Sequence, residues 1–223
     1  MNTDKRNLKI LFIGKMDDPY SRVAADFVEL HFRDPLIIFS KRGDAIPSEL
    51  NDWEGDLLIS YLSQWIIPQH LLENASMAAI NLHPGPPEYP GIGCTNFAIY
   101  NGEKIYGVTC HHMFSKVDCG PVIAVRRFPV FETDTVFSIT QRCYIEILHL
   151  FLELLSGVLE GRELPASKEY WKRKPFTRKD LNRLCELTPE MSQAEIDRRI
   201  RATTYGNKVW AVMKSGEAMA GNK

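Results

Sequence analysis

The chain has 223 residues, which is enough for one large domain or for one domain with a small appendage. Its composition, with 44% hydrophobic and 25% charged residues, is typical of a globular protein with a normal core. A net charge of −1, without a long basic run, argues against a protein that holds DNA or tRNA through many phosphates.

The first half of the chain alternates short apolar strands with helical segments. Asp18 and Pro19 have the residue types of a helix start, with aspartate as cap and proline in the first turn. Such alternation predicts a Rossmann-like, mostly parallel sheet flanked by helices on both faces. The strands are predicted at residues 8–14, 35–39, 56–61 and 77–80.

The loop after the first strand, residues 14–18, lacks the Gly-x-Gly-x-x-Gly fingerprint of a dinucleotide site. A nicotinamide cofactor is therefore not indicated, in spite of the Rossmann-like order. The loop carries two acids, Asp17 and Asp18, which we expect to repel a phosphate at this position.

The second half of the chain changes character. We predict strands at residues 107–113 and 122–130, and a long helix from residue 133 to about residue 161. Ser192 and Glu195 have the spacing of a capping box, which predicts a helix through Arg201. Residues 1–161 are therefore predicted to be the core domain, and residues 162–223 a small strand and helix extension. The extension is expected to contain a last strand at residues 208–213 and a frayed end at residues 215–223.

Cysteine content and hydropathy bear on the cellular compartment. There are five cysteines, an odd number, and residues 1–6 run directly into a strand without a visible secretory leader. The most apolar segment, residues 147–159, contains His149 and Glu153, so it is too short and polar to cross a bilayer. We expect a cytoplasmic protein with reduced thiols and no membrane partner.

The most informative stretch begins where the fourth strand ends. Asn81 and His83 are two residues apart on a strand, so their side chains share one face. The loop that follows, residues 84–91, has four prolines and two glycines, which restrict its backbone. A rigid loop after a strand is a common ligand site in α/β proteins.

One acid, Asp118, lies in the turn after the strand at residues 107–113. Together with Asn81 and His83 it supplies the groups that acyl transfer to an amine requires. The histidine can accept the proton of the attacking amine, and the amide can donate a hydrogen bond to the developing oxyanion. The aspartate can orient the imidazole and stabilise its charged form.

These motifs carry a family resemblance. The Asn-x-His-Pro run at residues 81–84, the Gly-Val-Thr strand at 107–109 and the Asp-x-Gly-Pro turn at 118–121 resemble the formyltransferases that use N10-formyltetrahydrofolate. The loop at residues 84–93 resembles the branch that acts on nucleotide-linked amino sugars. The similarity runs from about residue 8 to residue 123, and more weakly to residue 210.

The resemblance implies an enzyme that formylates a nucleotide-linked aminodeoxy sugar, with dTDP-4-amino-4,6-dideoxyglucose as the expected substrate, for polysaccharide biosynthesis. N10-formyltetrahydrofolate is then the cosubstrate, no metal is needed, and a homodimer is one option for the assembly. Asn81, His83 and Asp118 become the catalytic residues, and Tyr89 and Gly91 the residues that contact the sugar nucleotide. The folate site is expected to comprise Trp65, Ile66, Ile67, Pro84, Gly85, Phe114, Ser115, Lys116 and Val117.

Several other interpretations remain open. Tyr89 can equally be part of the scaffold, and the basic, aromatic segment at residues 170–179 is expected to be a solvated surface or a diphosphate contact. A methionyl-tRNA formyltransferase would need a nucleic-acid-binding domain, and a glycinamide ribonucleotide formyltransferase a Gly/Ser-rich loop after the first strand. An inactive binding module of the same fold is the alternative outside the enzymes.

A metal site or a cysteine nucleophile is disfavoured by the spacing. No Cys-x-x-Cys pair occurs, and Cys110 and His111 are neighbours on a strand and must face opposite ways. The residues that would suggest zinc are Cys94, Cys110, His111, His112 and Cys119.

Overall fold

A computed structural model describes residues 4–214 of the protein, and a six-stranded β-sheet forms its centre. The strands are β1 (Ile10–Lys15), β2 (Leu36–Ser40), β3 (Gly55–Tyr61), β4 (Ala75–His83), β5 (Ile105–His112) and β6 (Val122–Pro129). In space they follow the order β2-β1-β3-β4-β5-β6. The first four strands are parallel, β5 is antiparallel to both of its neighbours, and β6 therefore runs in the direction of the first four. The predicted mostly parallel α/β sheet is confirmed.

Helices cover both faces of the sheet. The expected cap of the first helix is present, because the Asp18 side chain accepts a hydrogen bond from the Ser21 backbone N–H. The long fourth helix begins with a reciprocal capping box between Thr135 and Ser138, which the sequence reading had not identified. The helices are α1 (Pro19–His31), α2 (Gln69–Glu73), α3 (Cys94–Asn101), α4 (Val136–Leu159), α5 (Arg178–Cys185) and α6 (Gln193–Ala202), with short 3-10 turns at Lys5–Asn7 and Ser48–Leu50.

Alternation along the strands divides the core into two clusters. Phe12 and Ile59 belong to the larger cluster, which α1, α3 and α4 cover, whereas Leu11 and Leu58 belong to the smaller one, beneath α2. Successive side chains on a strand point to opposite faces, which explains the division. The carboxyl ends of β1, β3 and β4 stay open between the two layers, and ligands bind at this edge in open α/β sheets.

Residues after α4 pack onto the core and add two small sheets. Short strands β7 (Glu186–Leu187) and β10 (Val212–Met213) pair with each other, as do β8 (Thr204–Tyr205) and β9 (Lys208–Val209). Helix α6 packs against α3, where Asn96 donates a hydrogen bond to the Ala202 carbonyl. The division of the chain after residue 161 stays a prediction.

Two expectations about the extension need correction. Ser192 caps α6, but the Glu195 carboxylate turns away and binds Tyr100, Arg198 and Arg199, so the reciprocal half of the box is missing. The single strand predicted at residues 208–213 is two strands in different sheets, β9 and β10. The predicted frayed end at residues 215–223 lies outside the described residues.

Candidate active site

A cavity of about 870 Å³ opens at the carboxyl edge of the sheet. The ends of neighbouring strands line it: Lys15 from β1, Ser60 from β3, Asn81 and His83 from β4, and His111 from β5. Ser60, Asn81, His83 and His111 alternate with side chains of the larger core cluster, so they share the opposite face of the sheet. The cavity therefore gathers polar groups of the open strand ends at one place.

Hydrogen bonds on both sides hold the Asn81 amide. The Ser60 hydroxyl donates to Asn81 Oδ1 at 2.8 Å, and Asn81 Nδ2 lies 3.1 Å from Nε2 of His111. Because the amide oxygen is occupied by Ser60, the amide N–H groups face His111 and the cavity. One of them remains available to an oxygen of a bound ligand.

His83 is buried and has a polar partner at each ring nitrogen. Nδ1 lies 3.2 Å from Oδ2 of Asp118, and Nε2 lies 2.9 Å from the Tyr89 carbonyl oxygen. A carbonyl only accepts, so Nε2 carries hydrogen and donates to Tyr89. A proton taken up by the ring therefore resides at Nδ1, against the carboxylate.

Asp118 connects two histidines and the proline-rich loop. Besides His83, its Oδ1 lies 3.3 Å from Nε2 of His111, and its Oδ2 accepts a hydrogen bond from the Gly91 N–H at 2.7 Å. Burial by itself would raise the pKa of Asp118, but the charge of His83, the contacts of His111 and the Gly91 N–H outweigh it and lower the pKa to about 2. The residue is thus an anion at neutral pH.

The backbone of Asp118 is also unusual. Its φ is 45°, in the left-handed region that non-glycine residues rarely occupy. Leu62, which follows β3 and lines the same cavity, has a φ of 53°. Strained backbone of this kind concentrates at functional sites, where surrounding contacts hold it.

His111 is the site residue that the sequence reading missed. Its Nδ1 lies 2.8 Å from the His112 carbonyl oxygen, so Nδ1 carries hydrogen and Nε2 faces Asn81 and Asp118. The sequence predicted that Cys110 and His111 face opposite ways, and the structure confirms this, with Cys110 in the core. Only the pairing register of β4 with β5, which places Asn81 opposite His111, identifies the residue.

Most of the predicted folate and substrate residues lie around the cavity, and two do not. The Tyr89 ring is buried between aromatic neighbours and its hydroxyl binds Glu103 and Asn101, so the expected contact with a sugar nucleotide is corrected to a scaffold position. Gly85 packs against the His83 ring, where an added Cβ would lie 2.7 Å from Nε2, and it does not reach the cavity. The predicted residues that line the cavity are Trp65, Ile66, Ile67, Asn81, His83, Pro84, Gly91, Phe114, Ser115, Lys116, Val117 and Asp118.

The wall on the α4 side of the cavity was not anticipated. Lys15 Nζ donates to the Tyr144 hydroxyl at 3.0 Å and lies 3.8 Å from Asp18. The Asp18 carboxylate caps α1 and does not line the cavity, so the first loop presents the Lys15 ammonium group there. The expected repulsion of a phosphate by this loop therefore needs revision. Of the basic segment at residues 170–179, Arg178 reaches the cavity wall.

Cys94 also lines the cavity, but burial raises the pKa of its thiol to about 11, which disfavours a thiolate nucleophile. Over residues 4–214, no group of three or more histidine, cysteine, aspartate or glutamate side chains is arranged to hold a metal ion. In the same range, no helix has both the length and the hydropathy that a membrane crossing requires.

A profile of the family described as "Formyl transferase" matches residues 32–152. The chain belongs to the formyl transferase family. A GDP-perosamine N-formyltransferase from Brucella melitensis is 30% identical over 168 residues, covering 73% of this chain and 62% of the relative. A methionyl-tRNA formyltransferase from Listeria welshimeri is 33% identical over 119 residues, covering 52% of this chain and 38% of the relative.

Among solved structures, an N-formyltransferase from Helicobacter canadensis in complex with folinic acid and dTDP-3-aminofucose matches with a TM-score of 0.68. It is 19% identical, and the match covers 87% of this chain and 80% of that one, which supports the fold. The chain spans less than two thirds of the length of the curated relatives described above. Together these matches confirm the family resemblance read from Asn81, His83 and Asp118.

Proposed function

We propose that this formyl transferase family member transfers a formyl group from N10-formyltetrahydrofolate to the amine of a nucleotide-linked amino sugar. The observation that carries the proposal is the Asn81 amide, held by Ser60 and His111 beside the buried His83–Asp118 pair. An amide donor next to a histidine–carboxylate pair is what acyl transfer to an amine requires.

The apolar wall of the cavity suits the flat ring of a folate. Ile67 is buried in the smaller core cluster, Trp65 packs against that cluster, and Phe114 and Val117 expose large apolar surfaces at the opening. Planar ligands favour slots of this kind, with a few polar groups at the ring edge. Trp65, Ile67, Phe114 and Val117 are the residues we assign to this part of the formyl donor.

The bound formyl donor supplies an activated carbonyl carbon, whose oxygen gains negative charge as the amine adds. Asn81 Nδ2 donates a hydrogen bond to that oxygen. His83 in its neutral form, with hydrogen on Nε2, accepts the proton of the amine at Nδ1, and Asp118, an anion with a pKa of about 2, stabilises the resulting imidazolium. The adduct then collapses as the bond between the formyl carbon and N10 breaks, and the proton passes from His83 to N10, so that tetrahydrofolate leaves. His111 keeps both Asn81 and Asp118 in position, since it contacts each of them.

The acceptor is assigned to the wall that carries Lys15 and Tyr144, and Arg178 is a second cation in the cavity lining. Two cations and a phenol in one cavity are sufficient for a diphosphate, whereas tRNA binding needs many phosphate contacts. Within the proposed class, dTDP-4-amino-4,6-dideoxyglucose is our first candidate. The Brucella relative is named for GDP-perosamine, so GDP-linked 4-amino sugars form the second group. The product would be an N-formylated sugar for polysaccharide biosynthesis, made in the cytoplasm.

The test is a panel of dTDP-, UDP- and GDP-linked amino sugars incubated with N10-formyltetrahydrofolate and analysed by mass spectrometry. We expect a gain of one formyl group on a single nucleotide class. Charged initiator methionyl-tRNA belongs in the same panel, because methionyl-tRNA formyltransferases are among the relatives. Formylation of the tRNA without any sugar product would reject the proposal in favour of that alternative.

A further inference from the structure

Trp171 lies in the extension, yet its side chain reaches the back of the active-site cluster. The indole Nε1 donates a hydrogen bond to the Gly120 carbonyl oxygen at 2.8 Å. Gly120 belongs to the turn that carries Asp118, and a Cβ added there would lie 1.9 Å from the His112 carbonyl oxygen. The indole is therefore hydrogen-bonded to a turn that already packs directly against the backbone of β5 and cannot move closer to it.

The same indole packs against both active-site histidines. Its ring centroid lies 5.0 Å from that of His111, at an interplanar angle of 84°. The corresponding values for His83 are 5.8 Å and 76°. Perpendicular aromatic pairs at these separations are favourable. One side chain thus contacts both rings that bind the Asp118 carboxylate.

Backbone contacts fasten the segment around Trp171 to the core. The Lys172 N–H donates to the Pro87 carbonyl in the proline-rich loop, and the Ser167 N–H donates to the Val122 carbonyl at the start of β6. Arg127 binds both Glu88 of that loop and Glu169. These contacts fix the indole on both sides and limit its freedom to turn away from the histidines.

We propose that Trp171 is a positioning residue for formyl transfer, which holds the rings of His83 and His111 and keeps water from the rear of the His83–Asp118–His111 cluster. The inference rests on the proposed function, because it assigns Trp171 a role in that reaction. Trp171 contributes no group to the reacting atoms. Its effect is on ring orientation, and displacements of about 1 Å can cost roughly 10²-fold in rate.

The test compares Trp171→Ala and Trp171→Phe with Tyr170→Ala as a matched control. Tyr170 is the neighbouring aromatic residue, is 67% exposed and packs on Lys172 rather than on the histidines. We expect Trp171→Ala to lower kcat by about 10- to 100-fold, while KM for both substrates stays near the wild-type value. Trp171→Phe should restore most of kcat, and Tyr170→Ala should resemble wild type.

A second readout does not depend on turnover. The ring ¹⁵N and ¹H NMR signals of His83 and His111, assigned with single-histidine variants, should shift in Trp171→Ala, shift less in Trp171→Phe and stay unchanged in Tyr170→Ala. If Trp171→Ala fails to fold, judged by its melting temperature, Trp171→Phe must still show the smaller shift and a reduced kcat.

The outcomes separate the two proposals. Unchanged histidine signals in a folded Trp171 variant, or a loss confined to KM, would overturn the positioning role. Failure of the wild-type protein to formylate any amino sugar would overturn the proposed function instead, and Trp171 would then lose its assigned role even if the ring signals moved.

Discussion

Asn81 and His111 are direct partners across antiparallel strands β4 and β5, and the amide nitrogen of Asn81 lies 3.1 Å from Nε2 of His111. His111 also contacts the Asp118 carboxylate. One histidine, outside the three residues identified from the sequence, therefore connects the proposed oxyanion donor to the carboxylate that supports His83, the proposed proton acceptor.

His111→Ala should lower kcat by about 10-fold or more with little change in either KM, because Asn81 and Asp118 both lose a positioning contact. His112→Ala is the matched control, since His112 is the next residue on β5 and does not line the cavity. Steady-state kinetics of the two variants provide the measurement. If kcat fell equally in both variants, the effect would come from a disturbance of strand β5 rather than from loss of the His111 ring.

Asn81→Ala should reduce kcat by roughly 10²–10³-fold, with a smaller effect on KM. The hydrogen bond from the amide strengthens as the oxyanion develops, so its loss raises the barrier more than it weakens substrate binding. Kinetics at saturating formyl donor measure the two parameters separately. A change in KM alone would make Asn81 a residue of ground-state binding.

His83→Ala should lower turnover by about 10²–10⁴-fold, the usual effect of losing a general base. Binding of a folate analogue, measured by calorimetry, should persist because the apolar wall around Trp65 is untouched. His149→Ala serves as the control, since His149 lies on α4 with its side chain more than half exposed. Near-normal kcat in His83→Ala would rule out the assigned role.

Asp118→Asn should preserve the fold, because asparagine tolerates the left-handed backbone at this position. It should impair catalysis by removing the charge that stabilises the His83 imidazolium. The expected result is cooperative unfolding at a moderately lower melting temperature, because the ionised carboxylate no longer stabilises the fold, combined with low kcat. Loss of the cooperative unfolding transition would instead indicate that the carboxylate mainly supports the turn.

The same carboxylate predicts a pH dependence of stability. The folded-state pKa of Asp118, about 2, lies below its usual value of 3.8, so its ionised form stabilises the fold. That stabilisation is present above about pH 4 and is lost as the pH falls towards 2. The free energy of unfolding, measured in urea between about pH 4 and pH 2, should fall less in Asp118→Asn than in the wild-type protein.

Gly91→Ala should destabilise the protein strongly. A Cβ there would lie 2.3 Å from the Phe176 carbonyl oxygen, and the φ of 90° adds strain of about 1–3 kcal/mol. Gly43→Ala is a close control, because Gly43 has a φ of 92° with no atom within 4 Å of the added Cβ. Denaturant unfolding should show a distinctly larger loss of unfolding free energy for Gly91→Ala than for Gly43→Ala. Equal losses would show that the contact with Phe176 contributes nothing to the effect.

The sequence by itself determined the features that depend on local geometry. Strand periodicity predicted that Asn81 and His83 share a face and that Cys110 and His111 do not, since successive strand side chains must alternate. Alternating strands and helices predicted the parallel sheet, and Asp18 with Pro19 the start of α1. The proximity of Asp118 to His83 followed from the family resemblance, and the catalytic roles of these residues stay predictions.

Only the tertiary structure decided which residues complete the site. The role of His111 depends on the register between β4 and β5, and that of Trp171 on contacts made far along the chain. Lys15 rather than Asp18 faces the cavity because the cap of α1 occupies the carboxylate, and Tyr89 turns inward to Glu103. These side-chain positions depend on how segments distant in sequence pack together, and the hydrophobic periodicity of a single strand or helix does not encode that packing.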